Sequence, residues 1–341
     1  MTNKASEVVL STNQLKELCA AKLIEHKVKP VDADIVADVL VHANLRGVDS
    51  HGVLRTEHYV QRISSKSINT DPNISIKRTG PASAIMDGDD GLGHVIAKQA
   101  VDEAISIAEK SGVGMVSVFN STHCGALSYY VNQAIAKNFI GMAMTHTDKQ
   151  VVPFGGAQPF FGTNPIALGF PASQNKPIIL DMATSNAALG KILNAKKSGE
   201  PSIPENWGVN ENGEPTTDPN QVAALLPFGG PKGYGLAMVV DLFSGVLTGS
   251  AFGPHITAMY GDYDKKRKLG HFFTVIDPAM FTEINTFLDK VDQMINEIHE
   301  SKPAKGFNKV MVPGEPEQLK EEARLANGIP IPRPIYDYLS N

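Results

Sequence analysis

The middle of the chain alternates short apolar runs with longer segments of helical spacing, and this alternation limits the possible folds more than any other feature. Each run has the length of a strand and is bounded by glycine or polar residues. The candidate strands are "ASAIMDG", "GVGMVSVFN", "FIGMAMTH", "NPIALGFP" and "KPIILDMAT", and the candidate helices between them are "GHVIAKQAVDEAISIAEKSG" and "ALSYYVNQAIAKN". This alternation predicts an α/β region.

The two ends of the chain are predicted to be mainly helical. The segment "STNQLKELCAAKLIEH" begins with Ser11 and has Gln14 three residues later, the spacing of a capping box. A second helix should end at Gly47, and a third should begin just after "DSHG" and run to Ile63. Later, "GPKGYGLAMVVDLFSGVLTG" predicts a buried helix and "MFTEINTFLDKVDQMINEIHES" an amphipathic one. Between the middle and these helices, "WGVNENGEPTT" predicts a hairpin with a type I′ turn at its Asn-Gly pair.

Length, charge and cysteine content exclude several classes of protein. The 341 residues exceed what one hydrophobic core usually holds, so we expect roughly two or three sub-domains. A net charge of −5 argues against a nucleic-acid partner, and the short basic run "DKKRKLG" is interpreted as a solvated loop. No segment has the unbroken apolar length of a membrane span or a signal peptide, so we expect no membrane partner and a cytoplasmic location. Cys19 and Cys124 suit a reducing compartment and form no metal site.

The densest group of chemically versatile side chains lies in "LRGVDSHGVLRTEHYVQRI". If the third helix begins at Gly52, then His51, Arg55 and Tyr59 follow one another at intervals of four and share one helix face. Such a face would combine a proton-transfer group, a carboxylate-binding guanidinium and a phenol. The alternative is structural: Arg55 pairs with Asp49 or with Glu57, and His51 caps the turn.

A second candidate group lies in "FNSTHCGALSYY". His123 ends a predicted strand and precedes a predicted helix, a junction where α/β proteins commonly place ligand-binding groups. A single histidine is more often structural than catalytic. Cys124 beside it has no partners at metal-ligand spacing, and we interpret it as a small apolar side chain.

Three further stretches place small or polar groups at the end of an apolar run, where backbone N–H groups can meet a ligand. They are "GTNPIALGFP", "ILDMATS" and "GPKGYGL", and the last contains Lys232, a point charge suited to phosphate. Neither the usual dinucleotide fingerprint G-x-G-x-x-G nor a P-loop is present. The residues alone indicate an enzyme that acts on a small carboxylate.

Taken together, several motifs resemble the malate/lactate dehydrogenase family, which lacks the ordinary Rossmann fold. They are "RGVDSHGVLR", "HCGALSYY", "VVPFGGAQPFFGTNPIA", "LDMATS" and "GPKGYGL", and the resemblance extends from about Leu10 to Leu339. Within the family, later stretches such as "SIPENWGVNENGEPTTDP" and "GFNKVMVPGEPE" are most similar to the members that oxidise ureidoglycolate.

The resemblance implies an α/β protein with a mixed-sheet, non-Rossmann nicotinamide-binding domain and a helical domain built from both chain ends. We expect residues 1–76 to form a helical N-terminal segment with the "SHG" motif. Residues 77–225 would form the α/β cofactor-binding domain. Residues 226–341 would form a mostly helical segment that packs with 1–76 and adds cofactor contacts. The same resemblance implies a homodimer or a higher homo-oligomer.

The resemblance also implies roles for individual residues. Ser50 and His51 match the substrate-side motif, Arg55 and Tyr59 would bind the substrate, and His123 matches the proton acceptor of the ureidoglycolate-oxidising members. Members that reduce imines or keto acids assign proton transfer to the position of His51 instead, so the choice of base stays open. The expected cofactor contacts are Thr147, Asp148, Asn164, Asp181, Met182, Ala183, Lys232, Gly314, Glu315 and Pro316, with Asp148 also a catalytic candidate.

The implied reaction is oxidation of (S)-ureidoglycolate to oxalurate with NAD as hydride acceptor. NAD is favoured over NADP because a carboxylate at Glu315 would repel a 2′-phosphate, although Lys265, Lys266 and Arg267 could place positive charge near the same ribose. The nearest alternative is a relative that acts on malate, lactate or another 2-hydroxy or 2-keto acid. A further alternative is a nucleotide-binding module without catalysis.

Overall fold

The computed structural model describes residues 7–341. Its strands are β1 (Glu7–Leu10), β2 (Ser75–Gly80), β3 (Ser83–Asp87), β4 (Val113–Ser121), β5 (Ile140–Thr145), β6 (Ile166–Phe170), β7 (Ile178–Met182), β8 (Gly208–Val209), β9 (Ala224–Leu225), β10 (Leu269–Ile276) and β11 (Ile329–Pro332). Its α-helices are α1 (Thr12–Glu25), α2 (Pro30–Leu45), α3 (Thr56–Ser64), α4 (Gly93–Ser111), α5 (Ser128–Ile135), α6 (Leu189–Ser198), α7 (Pro231–Asp241), α8 (Ile284–Glu300), α9 (Glu315–Asn327) and α10 (Arg333–Ser340).

Seven strands form one mixed sheet in the order β2-β3-β4-β10-β5-β6-β7. Strands β3 and β4 pair in parallel and are joined by the crossover helix α4, whereas the other neighbours pair antiparallel. The predicted mixed-sheet α/β fold is therefore confirmed. The first six residues of the predicted 1–76 segment lie outside the described part of the chain.

The central strand β10 is one of the elements that sequence analysis missed. It lies between β4 and β5, and every residue from Leu269 to Val275 is buried because helices cover the sheet on both faces. A strand buried on both faces carries no alternation that would identify it. β10 comes from the segment after residue 225, yet it lies in the same sheet as strands from 77–225. The division into three segments stays a prediction.

Helices α4 and α5 pack on one face of the sheet. Their alanines and branched side chains form a core with β3, β4 and β10, and Gly114 lets α4 approach β4 closely because a Cβ there would lie 1.9 Å from the carbonyl oxygen of Ala104. On the opposite face Val240 of α7 contacts a smaller group that includes Met144 and Phe272.

The two chain ends fold together, as predicted. Strands β1 and β11 form an antiparallel pair, and a core joins α1 and α2 with residues near the C-terminus such as Ile331 and Leu339. The predicted capping box is present, since Ser11 accepts from the backbone N–H of Gln14 while the Gln14 side chain accepts from the backbone N–H of Ser11. Within residues 7–341 no helix is both long enough and apolar enough to cross a bilayer.

Two local predictions were wrong. The predicted type I′ turn is instead a wider loop, because Gly213 alone of the Asn-Gly pair has positive φ and Asn210 closes the loop by donating to Glu214. The predicted buried helix is interrupted after α7 by a π-helical turn over Leu242–Val246, and its outer face is exposed to solvent.

Candidate active site

The "SHG" segment adopts two short 3-10 turns rather than the start of a helix. His51 ends the first turn (Asp49–His51), Arg55 ends the second (Val53–Arg55), and α3 begins only at Thr56. Gly52 between them is extended, and a Cβ there would lie 2.2 Å from the side-chain oxygen of Asn44. The prediction of a shared helix face for His51, Arg55 and Tyr59 was therefore wrong.

The "SHG" segment is held in place by hydrogen bonds from residues that are not candidate site residues. Asn44 donates to Asp49 at 2.7 Å and accepts from the backbone N–H of Val53 at 2.9 Å. Arg324 of α9 binds both carboxylate oxygens of Asp49 at 2.7 and 2.9 Å. Asp49 is thus paired with Arg324, so it is not the partner of Arg55 that the structural alternative had offered beside Glu57.

His123, Tyr59 and His51 meet at one place despite their separation in sequence. The Tyr59 hydroxyl lies 2.8 Å from Nδ1 of His123, and the rings of His51 and His123 are stacked with their centroids 5.7 Å apart. His123 sits in the loop between β4 and α5, where the backbone N–H of Gly125 also points at its Nδ1 at 3.3 Å. Ser50 lies beside them, with its hydroxyl 3.1 Å from Nδ1 of His51.

Arg55 lies beside this group of residues. Its Nε donates to the backbone oxygen of Ser50 at 2.7 Å, and its Nη1 contacts the hydroxyl of Tyr260. The Nη2 of Arg55 has no hydrogen-bond partner in the part of the chain that the structure describes. This guanidinium remains available to an anionic ligand.

Desolvation and a neighbouring positive charge favour the neutral form of both half-buried histidines. Desolvation, followed by the positive charge of Arg55, lowers the pKa of His51 to about 4. Desolvation also holds the pKa of His123 well below its ordinary range, and the positive charge of Arg55 adds to this effect. A neutral imidazole keeps one nitrogen unprotonated, as a proton acceptor requires, and in His123 the nitrogen that accepts from the Gly125 N–H is Nδ1.

Arg267 and Asp148 form a buried ion pair near this cluster. The Nη2 of Arg267 donates to Oδ1 of Asp148 at 2.8 Å, and Arg267 is 3% exposed. The interpretation of "DKKRKLG" as a solvated loop is therefore right for its exposed lysines but wrong for Arg267. Lys265 pairs with Asp262, and Lys266 pairs with Asp90.

Arg62 and His94 were not assigned by sequence analysis. Arg62 of α3 is buried and donates to the backbone oxygens of Ala258, Met259, Asp262 and Lys265, so it fixes the loop that leads to Arg267. His94 of α4 is also buried, and its ring meets that of Tyr59 edge-on at 4.8 Å. Capping and helical patterns in the sequence would not have identified the loop contacts of Arg62 or the ring contact between His94 and Tyr59.

Asn164 and Thr147 are connected to each other. Asn164 is buried, accepts from the backbone N–H of Thr147 at 3.2 Å and donates to the carbonyl of Ala237 at 3.0 Å. The Thr147 hydroxyl accepts from the backbone N–H of Thr163. The amide of Asn164 is thus used within the protein, where it holds the segment that carries Thr147 and Asp148.

The other predicted cofactor contacts surround the end of β7. The backbone N–H of Ile179 donates to Pro313, next to Gly314, and the backbone N–H of Phe228 donates to Thr184. These bonds place Asp181, Met182 and Ala183 between the loop at Gly314–Pro316 and the loop that precedes Lys232. Asp181 also accepts from the backbone N–H of Ser128 at 2.7 Å. Lys232 is exposed in the first turn of α7.

Glu315 is already bound by groups of the chain itself. His299 contacts its Oε2 at 2.8 Å, Lys309 contacts Oε1 at 2.5 Å, and the backbone N–H of Val312 donates to Oε2 at 3.2 Å. The carboxylate is thereby partly neutralised, which weakens the repulsion of a 2′-phosphate that sequence analysis assigned to it.

Comparisons with known proteins identify the family of this chain. A family model described as malate/L-lactate dehydrogenase matches residues 10–340. Ureidoglycolate dehydrogenase (NAD(+)) from Escherichia coli strain K12 is 43% identical over 330 residues, which cover 97% of this chain and 94% of that protein. Malate dehydrogenase from Pyrococcus abyssi is 41% identical over 319 residues, which cover 91% of this chain and 87% of that protein.

A solved structure shows the same fold. Sulfolactate dehydrogenase from Methanocaldococcus jannaschii superposes with a TM-score of 0.92 and 38% sequence identity, and the match covers 97% of this chain and 95% of that one. Sequence and fold agree over nearly the whole length, and the chain therefore belongs to the malate/L-lactate dehydrogenase family.

Proposed function

We propose that this protein oxidises (S)-ureidoglycolate to oxalurate with NAD as the hydride acceptor, in the catabolism of purines through allantoin. The observation that carries the proposal is the meeting of two histidines and a partly free guanidinium at one site, in a chain 43% identical to a ureidoglycolate dehydrogenase. A guanidinium suits the carboxylate of a 2-hydroxy acid, and a neutral histidine suits its hydroxyl proton.

The residues around β7 fit a dinucleotide. Gly229 and Gly230 both have positive φ and lead into α7, whose N-terminus and exposed Lys232 favour a diphosphate. The first turn of α9 also carries Glu317, a carboxylate that is better suited to ribose hydroxyls than to a phosphate. The cofactor is NAD, as the name of the Escherichia coli relative also indicates. Equal catalytic efficiency with NADP⁺ would contradict this preference.

In the proposed reaction Arg55 holds the substrate carboxylate, and His123 accepts the hydroxyl proton while Tyr59 fixes its ring. Ser50 and His51 orient the substrate beside it. When bound, NAD supplies the acceptor for the hydrogen that leaves the reacting carbon. That carbon also bears a urea nitrogen, so an alkoxide formed too early would expel urea and yield glyoxylate. Removal of the proton must therefore coincide with loss of the hydride.

The direct test is turnover by the purified protein. NADH formation is measured with (S)-ureidoglycolate, its enantiomer, L-malate and L-lactate, and oxalurate and glyoxylate are both quantified. Turnover confined to the (S) enantiomer, with oxalurate as the product, is the expected result. NADH binding without turnover of any hydroxy acid would instead indicate a non-catalytic nucleotide-binding module.

A second candidate is oxidation of malate or another 2-hydroxy acid. The malate dehydrogenase from Pyrococcus abyssi, at 41% identity, supports it. Arg55 would bind the carboxylate of either substrate, and only the contacts at the far end of the substrate would differ. Turnover of malate with no turnover of (S)-ureidoglycolate would favour this alternative.

We also infer a homodimer in the cytoplasm. The outer face of α7 and the following π-helical turn exposes Met238, Val239, Leu242, Phe243, Val246 and Leu247, which are 36–57% exposed. An apolar face of this kind suits a second copy of the chain. The buried, unpaired Cys19 and Cys124 suit a reducing compartment. Sedimentation should show a dimer for the native protein and a monomer for Leu247→Glu.

A further inference from the structure

Tyr260 is an exposed aromatic side chain that contacts the guanidinium group of Arg55. It belongs to the 258–265 loop, it is 52% exposed, and its hydroxyl oxygen accepts from Nη1 of Arg55. A guanidinium has donors and no acceptor, so Arg55 does not take up the hydroxyl proton of Tyr260. No other atom of residues 7–341 accepts that proton. The O–H group of Tyr260 is therefore available to a ligand that carries an acceptor.

The two side chains present their unused donors next to each other. Nη1 and Nη2 of Arg55 are bonded to the same carbon atom, so the hydroxyl group that contacts Nη1 lies beside Nη2. Within the described residues Nη2 has no partner, and no carboxylate forms an ion pair with this guanidinium. The contact with Tyr260 is exposed to solvent rather than buried, so a ligand can reach both donors.

Neither the loop nor Arg55 depends on this hydroxyl group for its position. Arg62 donates to the backbone oxygens of the two residues before Tyr260 at 2.9 and 2.8 Å, which fixes the loop. The Nε of Arg55 donates to the backbone oxygen of Ser50 at 2.7 Å, which fixes the guanidinium. A structural role therefore does not account for the hydroxyl group of Tyr260.

Direct contacts connect this pair of donors to the proposed base. The hydroxyl of Ser50, whose backbone oxygen binds Arg55, lies 3.1 Å from Nδ1 of His51. The ring of His51 is stacked on that of His123, with the ring centroids 5.7 Å apart. A small 2-hydroxy acid that is held by its carboxylate at Arg55 and Tyr260 can thus direct its hydroxyl group toward the histidines.

We propose that Tyr260 is a second carboxylate-binding residue. Its O–H group donates to one oxygen of the substrate carboxylate while Nη2 of Arg55 donates to the other. This inference rests on the proposed function for the assignment of Arg55 to the carboxylate. Hydrogen bonds to a carboxylate are stronger than those between neutral groups. An amide in the same place would turn its NH₂ group toward one of the two donors, so the pair selects carboxylates over amides.

The test compares the binding of two ligands that differ only at this group. Oxamate has a carboxylate next to a carbonyl group, as the oxidised product of any 2-hydroxy acid has. Oxamide has a neutral amide in place of that carboxylate, and neither ligand has an alcohol that could be oxidised. Calorimetry in the presence of NADH should show that the native protein binds oxamate at least about tenfold more tightly than oxamide.

Tyr260→Phe removes the hydroxyl group and keeps the ring. The dissociation constant of oxamate should rise about tenfold, whereas that of oxamide should change by less than about twofold. In steady-state assays KM for the hydroxy acid should rise with kcat nearly unchanged, because the carboxylate is bound equally in the ground state and the transition state. Tyr263→Phe is the matched control, since Tyr263 lies in the same loop with its ring 5.4 Å from the guanidinium carbon of Arg62.

A second replacement distinguishes direct binding from the positioning of Arg55. When p-aminophenylalanine replaces Tyr260, the end of the ring keeps an N–H donor but becomes a poor acceptor for the guanidinium. If Tyr260 donates to the carboxylate, this replacement restores most of the oxamate affinity that Tyr260→Phe loses. If Tyr260 acts only by holding Arg55, the affinity stays at the level of Tyr260→Phe, and the proposal is wrong.

Two further outcomes would overturn the proposal. One is native oxamate affinity in Tyr260→Phe, and the other is an equal loss of oxamate and oxamide binding in that variant. Oxamate has no urea group, so its binding is independent of the substrate that the protein oxidises. The expected oxamate results without oxidation of (S)-ureidoglycolate keep the carboxylate-binding pair and reject the proposed function. Oxidation of (S)-ureidoglycolate with unchanged oxamate binding in Tyr260→Phe rejects the pair and keeps the proposed function.

Discussion

The hydroxyl of Tyr59 lies 2.8 Å from Nδ1 of His123, so a helix near the N-terminus fixes the orientation of a ring that follows β4. Tyr59 is itself buried, and the edge of the His94 ring contacts it. This hydrogen bond joins the helical unit to the sheet at the point where the proposed proton transfer takes place.

Replacing Tyr59 by phenylalanine should therefore lower kcat by about tenfold with little change in KM, because His123 loses the partner that orients it. Steady-state kinetics with (S)-ureidoglycolate measures both constants. Tyr129→Phe is the control, since the Tyr129 ring contacts His42 and Tyr130 outside the cluster. Native kcat in Tyr59→Phe would show that the hydrogen bond has no role in the reaction.

The two histidines should respond differently to replacement. His123→Ala should reduce kcat by roughly 10²–10⁴, the usual contribution of a positioned acid or base, whereas His51→Ala should cost only about tenfold. Single-turnover rates under saturating NAD would separate chemistry from product release. The reverse order of effects would assign proton transfer to His51, with His123 in a supporting role.

The pH dependence of the reaction should shift when substrate binds. Protonation inactivates the base, so kcat and kcat/KM both fall as the pH falls. Arg55 is one of the charges that lower the pKa of His123, and a bound carboxylate would neutralise it. The pKa of the base therefore rises in the complex, and the acid limb of kcat should lie at higher pH than that of kcat/KM. Coincident limbs between about pH 4 and about pH 8 would contradict this coupling.

Arg62 should be important for stability. Arg62→Met would remove the side-chain donor of four backbone oxygens of the 258–265 loop, of which only that of Asp262 also accepts from a backbone N–H, so the free energy of unfolding should fall by about 3 kcal/mol. Denaturant unfolding measures this change. Arg78→Met, which breaks a surface pair with Glu103 and an exposed hydrogen bond to Ser106, should change it by less than about 1 kcal/mol. An equal decrease in the free energy of unfolding in the two variants would show that the contacts of Arg62 with the loop do not contribute to stability.

Buried histidines should destabilise the protein in acid. Burial lowers the pKa of His94 and of His271 to about 3, whereas the unfolded value is about 6.5. The unfolded chain therefore binds protons first, and stability present above about pH 6.5 is lost as the pH falls toward 3. Each such group contributes a slope of up to about 1.4 kcal/mol per pH unit. His94→Leu should reduce this slope in urea unfolding, whereas replacement of the exposed His255 should not.

Local signals in the sequence determined much of the fold. The Ser11–Gln14 capping box, the helix stop at Gly47 and the alternation of strands and helices act between residues a few positions apart, so they can be recognised in one chain. The same holds for the motifs that resemble a known family, because each motif is a short continuous stretch. Those motifs indicated His51, Arg55, Tyr59 and His123 as candidate site residues.

The tertiary structure decided what depends on distant neighbours. It placed β10 in the centre of the sheet. The helices that bury the two faces of this strand come from distant parts of the chain, so its own sequence could not reveal that position. It also buried Arg267 beside Asp148, whereas its own sequence context indicated an exposed basic loop. Periodicity reports only which side of an element is apolar, and it does not report which partner the other side meets. The pairing of a buried charge is settled only when both partners are held in place by the complete fold.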